Sequence, residues 1–175
     1  PFDSGDVVSR AAILTAPNPF PSDISFVRTE FYATPGDGGG GVYKVVAAEP
    51  SHPGKAKWLA GPFGGPWLEL LPIGTCPEQF GAIGDYDYST NTGTDDTQAF
   101  LDMMDFVVTR GDNQAWPIHL TQHYLITEDN VFGRFSTGEV LNGLQITGTG
   151  LREGSSVTLR PPVGGDEYHF YDGLD

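Results

Sequence analysis

The sequence predicts a mainly β, turn-rich fold, and three observations carry that expectation. Glycine and proline are abundant, 24 and 14 of 175 residues, with no fixed period. That excludes collagen and leaves too few helix formers for a bundle. Hydrophobics stand at 38%, aromatics at 12% and charged residues at 18%, a balance that argues against wholesale disorder, which wants few aromatics and many charges. A chain of 18.8 kDa buries one respectable core or two small ones. Finally, short runs of β-branched and aromatic residues alternate with Gly-rich turns, and toward the C-terminal side they recur at about the spacing of successive coils in a β-solenoid.

The elements follow in order. Residues 1–22 hold a short apolar stretch, Ala11 to Leu14, and then Pro17, Pro19 and Pro21, which forbid helix and read as an extended arm. Residues 23–48 read as a hairpin: Ile24, Phe26, Phe31 and Tyr32 lead into Pro35–Gly41, and Val42–Val46 returns. Residues 49–66 are loop-like, with four prolines, and Trp67–Pro72 is one more strand. A small β module over 23–76 is therefore expected, followed by a second region over 77–175. In that region Ala99, Phe100, Met103, Met104 and Val107 fall at helical spacing, so the periodicity predicts a helix over 95–110. Asp95 with Gln98 is the expected capping pair and Gly111 the stop. Short strands are expected at Ile118–Thr127, Val140–Thr147 and Ser156–Arg160. The chain opens on Pro1 and closes on three aromatics in Tyr168–Asp175 with no evident stop, and the expectation is the leading piece of a longer polypeptide.

Charge and motifs narrow the chemistry. A net charge of −14 repels nucleic acid backbones and anionic membrane surfaces, and no apolar run approaches the roughly 20 residues of a membrane span. The single cysteine, Cys76, cannot form an intrachain disulfide. Beside Pro77 and with no evident histidine partner, it does not stand out as a nucleophile. Gly36–Gly41 formally satisfies G-x-G-x-x-G, but it opens the strand Val42–Val45 rather than a helix, so it reads as a hairpin turn and not a dinucleotide loop. Asp85, Asp87, Ser89, Asn91 and Asp96 occupy positions 1, 3, 5, 7 and 12 of a possible calcium loop. Thr90 stands where that loop needs glycine, and the last ligand is a short Asp, so a solvated loop is the favoured reading. Asp95 and Asp96 are better placed to serve helix-start N–H groups than to act as an acid/base pair. His119 and His123 have metal-pair spacing only on a helix; on a strand they lie about 13 Å apart. No catalytic residue, metal site or cofactor is expected within the chain.

Two stretches resemble known families. Phe80-Gly81-Ala82-Ile83-Gly84-Asp85, followed by Gly93-Thr94-Asp95-Asp96-Thr97-Gln98-Ala99-Phe100, resembles the opening motif of pectate-lyase-like right-handed β-helix proteins, in which a helix caps the solenoid. Gln145–Gly150 is similar to a first-coil segment of that family. Tyr86 to Thr92 is inserted within the motif, and Thr121–Tyr124 only hints at the usual Pro-Ala-Gly-x-Tyr. Val27–Tyr32, Pro35–Gly40 and Trp67–Leu70 are similar to a module that precedes the β-helix in bacteriophage tailspikes. These resemblances imply a small anchor or adaptor module, then the capping helix and first coils of a right-handed parallel β-helix. They imply a virion structural protein of the phage tail, extracellular and homotrimeric. It docks to a tail or baseplate protein through its N-terminal region, with host surface polysaccharide engaged by the distal part. The alternative they carry is a polysaccharide lyase or hydrolase whose active site lies beyond or late in the chain, since β-helices serve enzymes and inert fibres alike.

Overall fold

The structure, a computed structural model, describes residues 23–50, 57–59, 66–109, 117–128, 131, 146–148, 156–159 and 168–171. It is mainly β. Strands β1 (Phe26–Thr29), β2 (Gly41–Val46), β3 (Lys57–Leu59) and β4 (Trp67–Leu70) form an antiparallel sheet in the order β1-β2-β4-β3. The hairpin expected from the glycine run is present, with Phe26 opposite Lys44 and Thr29 opposite Gly41. Period-two alternation sends Tyr43, Leu68 and Leu70 inward, all buried. Phe31 and Tyr32 lie beyond the end of β1, in the turn, and β3 crosses the segment read as loop. The arm over 1–22 lies outside the described residues, as does most of the 49–66 loop.

A single turn of 3-10 helix, Pro77–Phe80, leads out of the sheet, and Gly81 ends it with a left-handed φ of 95°. Helix α1 is Thr97–Thr109, two residues shorter at its start than the periodicity suggested, because Asp95 and Asp96 turn their side chains to other work described below. Ala99, Phe100, Met103, Met104 and Val107 are buried as expected, and Leu101 and Phe106 are buried with them. The covered face is therefore wider than one amphipathic stripe. The expected Asp95–Gln98 capping pair is replaced: the Gln98 amide donates to Asp102 at 2.8 Å, one turn along.

Successive passes of the chain then stack in parallel. Strand β5 (Ile118–His119) pairs with β7 (Ile146–Thr147), and β6 (His123–Ile126) with β8 (Ser156–Leu159), both parallel. Single parallel bridges extend these ladders by one further pass: Thr75 to Ile118, Asp85 to His123 and Asp95 to Leu125. Parallel strands with intervening connections are what a solenoid coil requires. The expected strand Ile118–Thr127 is split into β5 and β6 by a corner at 120–122, and the Leu120 N–H donates to the Thr147 carbonyl at 2.7 Å as the last bond of the β5–β7 ladder. Of Val140–Thr147 only the last two residues are described. Strand β9 (Tyr168–Tyr171) was not expected; it runs antiparallel along β8.

One core joins these parts. Tyr43, Leu68 and Leu70 of the sheet, Phe80 of the turn, the inner face of α1, and Ile118, Tyr124 and Ile126 of the coil form one continuous cluster. Phe80 packs on Phe106 with ring centroids 5.7 Å apart, and Phe100 meets Tyr124 edge-on at 5.2 Å. No described helix is long and apolar enough to cross a membrane.

Candidate functional site

The chemistry-bearing side chains gather at the junction between the sheet and the first coil. The turn after β1 is organised by Asp37, whose carboxylate accepts the backbone N–H groups of Tyr32, Ala33, Thr34 and Gly39 at 2.7–3.0 Å. Partial burial pushes this carboxyl upward, but the four N–H groups together hold it below its ordinary 3.8. A depressed carboxyl contributes stability that is present above the unfolded value and lost as pH falls through the folded one. Acid titration of the Asp37→Asn variant should therefore show a flatter stability loss below about pH 4 than the parent. Equal slopes would show that the turn does not depend on the ionised form.

This turn receives the Pro77–Phe80 segment. Gln79 bridges the two, its amide donating to the Gly40 carbonyl at 2.9 Å and its oxygen accepting the Cys76 N–H at 3.3 Å. The glycines are needed for proximity: a Cβ at Gly39 would overlap the Glu78 carbonyl oxygen and Tyr32 Cβ, and one at Gly40 would lie 2.8 Å from the Glu30 carbonyl. The run thus acts as a hairpin turn and as a seat for the next element. The Cys76 thiol donates to the Gly38 carbonyl at 3.9 Å. Burial, with the Glu78 charge adding to it, pushes the thiol up to about 12. It stays protonated and is a poor nucleophile at neutral pH.

Sequence reasoning did not single out Glu78. Its side chain is 2% exposed, and its Oε1 accepts both the Thr121 hydroxyl and the Tyr124 phenol. Oε2 is buried without a partner among the described residues, as is Thr75 Oγ1. Burial, and then the Glu78 charge, pushes the Tyr124 phenol upward, so it remains a donor. The signal available in sequence was a carboxylate between Pro77 and Phe80, but its hydroxyl partners lie more than forty positions away.

The aspartates of the opening motif each hold a different part of the backbone. Asp96, 3% exposed, accepts the N–H groups of Ile83 at 2.7 Å and Gly84 at 3.2 Å. It therefore ties the Phe80–Gly84 turn to the head of α1 rather than capping the helix with its side chain. Desolvation raises its carboxyl, and the charges of Asp85 and Asp95 add to the rise, against the pull of the two N–H groups. Asp95 does serve the helix start, accepting Thr97 N–H at 3.0 Å, and its second oxygen takes the Thr127 hydroxyl at 2.6 Å. Asp85 takes Thr94, Asp87 takes Ser89, and Asn91 meets the Tyr86 hydroxyl. Of the five positions of the possible calcium loop, Asp87 and Ser89 thus bond to each other, while Asp85, Asn91 and Asp96 bond elsewhere. Among the described residues no three His, Cys, Asp or Glu side chains gather into a metal-ligating group. Asp96→Asn should cost about 1–3 kcal/mol in urea unfolding, because the amide NH₂ would face one of the two N–H donors. A change under about 0.5 kcal/mol would show that the tie contributes nothing.

The two histidines sit on different strands. His119 Nδ1 meets the Thr147 hydroxyl at 2.6 Å, whereas His123 packs edge-on against Tyr88, which in turn meets Tyr86 edge-on. Beside the junction lies an open groove of about 530 Å³, formed by the end of β1, the glycine run and the Ile73–Gln79 segment.

No family model matches the chain, and no curated protein matches it. Among solved structures the chain is similar to the full-length tailspike protein 2 of an Escherichia coli bacteriophage. The TM-score is 0.45 with 19% identity over 71% of this chain. It is also similar to the enzymatically active domain of the bacteriophage CBA120 tailspike protein 2, with a TM-score of 0.41 and 20% identity over 62% of this chain. In each case the match spans 14% of the length of the other chain.

Proposed function

We propose that this chain is the virion-proximal part of a phage tailspike or tail fibre: an anchor module joined to the capped first coils of a right-handed parallel β-helix. The observation that supports this reading is what the motif residues do. Asp95 and Asp96, which match the opening motif of β-helix proteins, fasten a helix whose apolar face joins the core of a parallel ladder. A solenoid needs such a cover over its first open coil. The sheet is clasped behind that cover through Gln79 and the glycine run. In this reading the protein is a homotrimer, residues 1–72 dock to a tail or baseplate protein, and host polysaccharide belongs to the distal part.

The test is a deletion of residues 1–22 from the full-length spike. The shortened spikes should stay folded and trimeric by light scattering, yet be missing from purified particles. If they still assemble onto tails, the docking surface is elsewhere and the anchor reading fails. The 175-residue chain alone should leave host capsule intact in a depolymerase assay; degradation abolished by Asp95→Asn would move an active site to the cap.

A further inference from the structure

We propose that the groove at the junction binds an extended peptide segment carrying an acidic residue next to an aliphatic one. Its walls supply the matching chemistry. Arg28, exposed on β1, lines the groove and forms no ion pair among the described residues. A free guanidinium fork is suited to a carboxylate held by two parallel hydrogen bonds. Gly38 and Gly40 line the same groove, and their N–H groups have no acceptor among the described residues. With no side chains of their own, they leave main chain open to a ligand's carbonyl or carboxylate oxygens. Glu30, also lining and exposed, offers an acceptor for a peptide N–H. Val42 and Ile73 complete the wall, and Ile73 is 72% exposed, the most open large apolar side chain described.

The choice of peptide over acidic saccharide rests on what lines the groove. Sugar rings are held chiefly on aromatic faces, and no aromatic side chain lines it. Aliphatic Val42 and Ile73 fit a Leu or Val side chain instead. Arg28 supplies the positive charge at this spot, against Glu30 in the same lining and a net charge of −14 that repels a carboxylate at long range, so recognition rests on the close guanidinium contact. The anchor reading enters only in naming the donor: the segment would come from the protein to which the spike docks. The groove itself is read by peptide binding, so its failure leaves the particle experiment untouched.

The experiment is an NMR titration of the 175-residue chain with N-acetyl-Leu-Glu-amide, N-acetyl-Leu-Gln-amide and glucuronate, each to about 10 mM. The acidic peptide should shift the amides of Gly38, Gly40 and Ile73 saturably. The Gln peptide should bind at least about tenfold more weakly, and Arg28→Gln should remove that difference while leaving the urea midpoint unchanged. Ile73→Ser should weaken both peptides. No saturable shift, or equal binding by Arg28→Gln, would overturn the proposal. Glucuronate binding as tight as the acidic peptide would overturn the choice of peptide.

Discussion

Replacing Phe100 by Ala should remove about 3–5 kcal/mol of stability, the range for emptying a fully buried aromatic site. The ring is 0% exposed and meets Tyr124 edge-on at 5.2 Å, so the change deletes both buried area and a favourable ring geometry. Since domains of this kind carry roughly 5–15 kcal/mol in total, the variant should lose about a fifth or more of its margin. The loss should appear as a lower urea midpoint with an unchanged slope, because the helix is seated by a core shared with the sheet. Phe100→Leu, which refills most of the space, should recover more than half of the loss. If Phe100→Ala costs under about 1 kcal/mol, the helix is not the cover we describe.

Gly39→Ala should cost about 2–3 kcal/mol, more than a methyl group usually does on a surface turn. Its Cβ would overlap main chain of the Pro77–Phe80 turn and the stem of Tyr32, neither of which can swing away. The seat must open, so cleavage by a protease of low specificity between β4 and the turn should speed up as well. Gly36 supplies the control. It has φ of 90° but nothing within 4 Å of a would-be Cβ, so Gly36→Ala should cost only about 1–2 kcal/mol of backbone strain. If Gly36→Ala proves the costlier of the two, the run is a turn requirement and not a contact requirement.

Local signals in the chain were legible where one element decides its own form. The glycine run between β-rich segments gave the hairpin of β1 and β2, and the apolar spacing from Ala99 to Val107 gave α1. Leu101 lay off the expected stripe, while Phe106, three residues on from Met103, widens its edge and packs on Phe80 of the turn; periodicity carries no information about what packs against a face. The Pro77–Phe80 turn escaped notice for a related reason. Four residues have no period, and the burial of Glu78 is fixed by Thr121 and Tyr124, far along the chain. Asp95 and Asp96 were correctly placed at the helix start, yet only the fold reveals that Asp96 holds Ile83 and Gly84. A carboxylate reads the same in sequence whether it caps its own helix or a neighbouring turn. The groove has no sequence signature at all, since Arg28 and Ile73 come together only through the clasp.

Strand β9 has a consequence for the order of events in folding. It lies antiparallel on β8, with Ser156 opposite Tyr171 and Leu159 opposite Tyr168, while the opposite edge of β8 pairs in parallel with β6. A pair close in sequence closes in roughly 1–10 μs, well ahead of parallel pairings that must wait for a long loop to close. β8 therefore arrives at the solenoid with its outer edge already occupied. A bare edge of this kind is the usual template for runaway strand addition between chains, and β9 shields it during the interval when the parallel ladder is still assembling. Any strand that stacks next on this edge of β8 must take the place of β9.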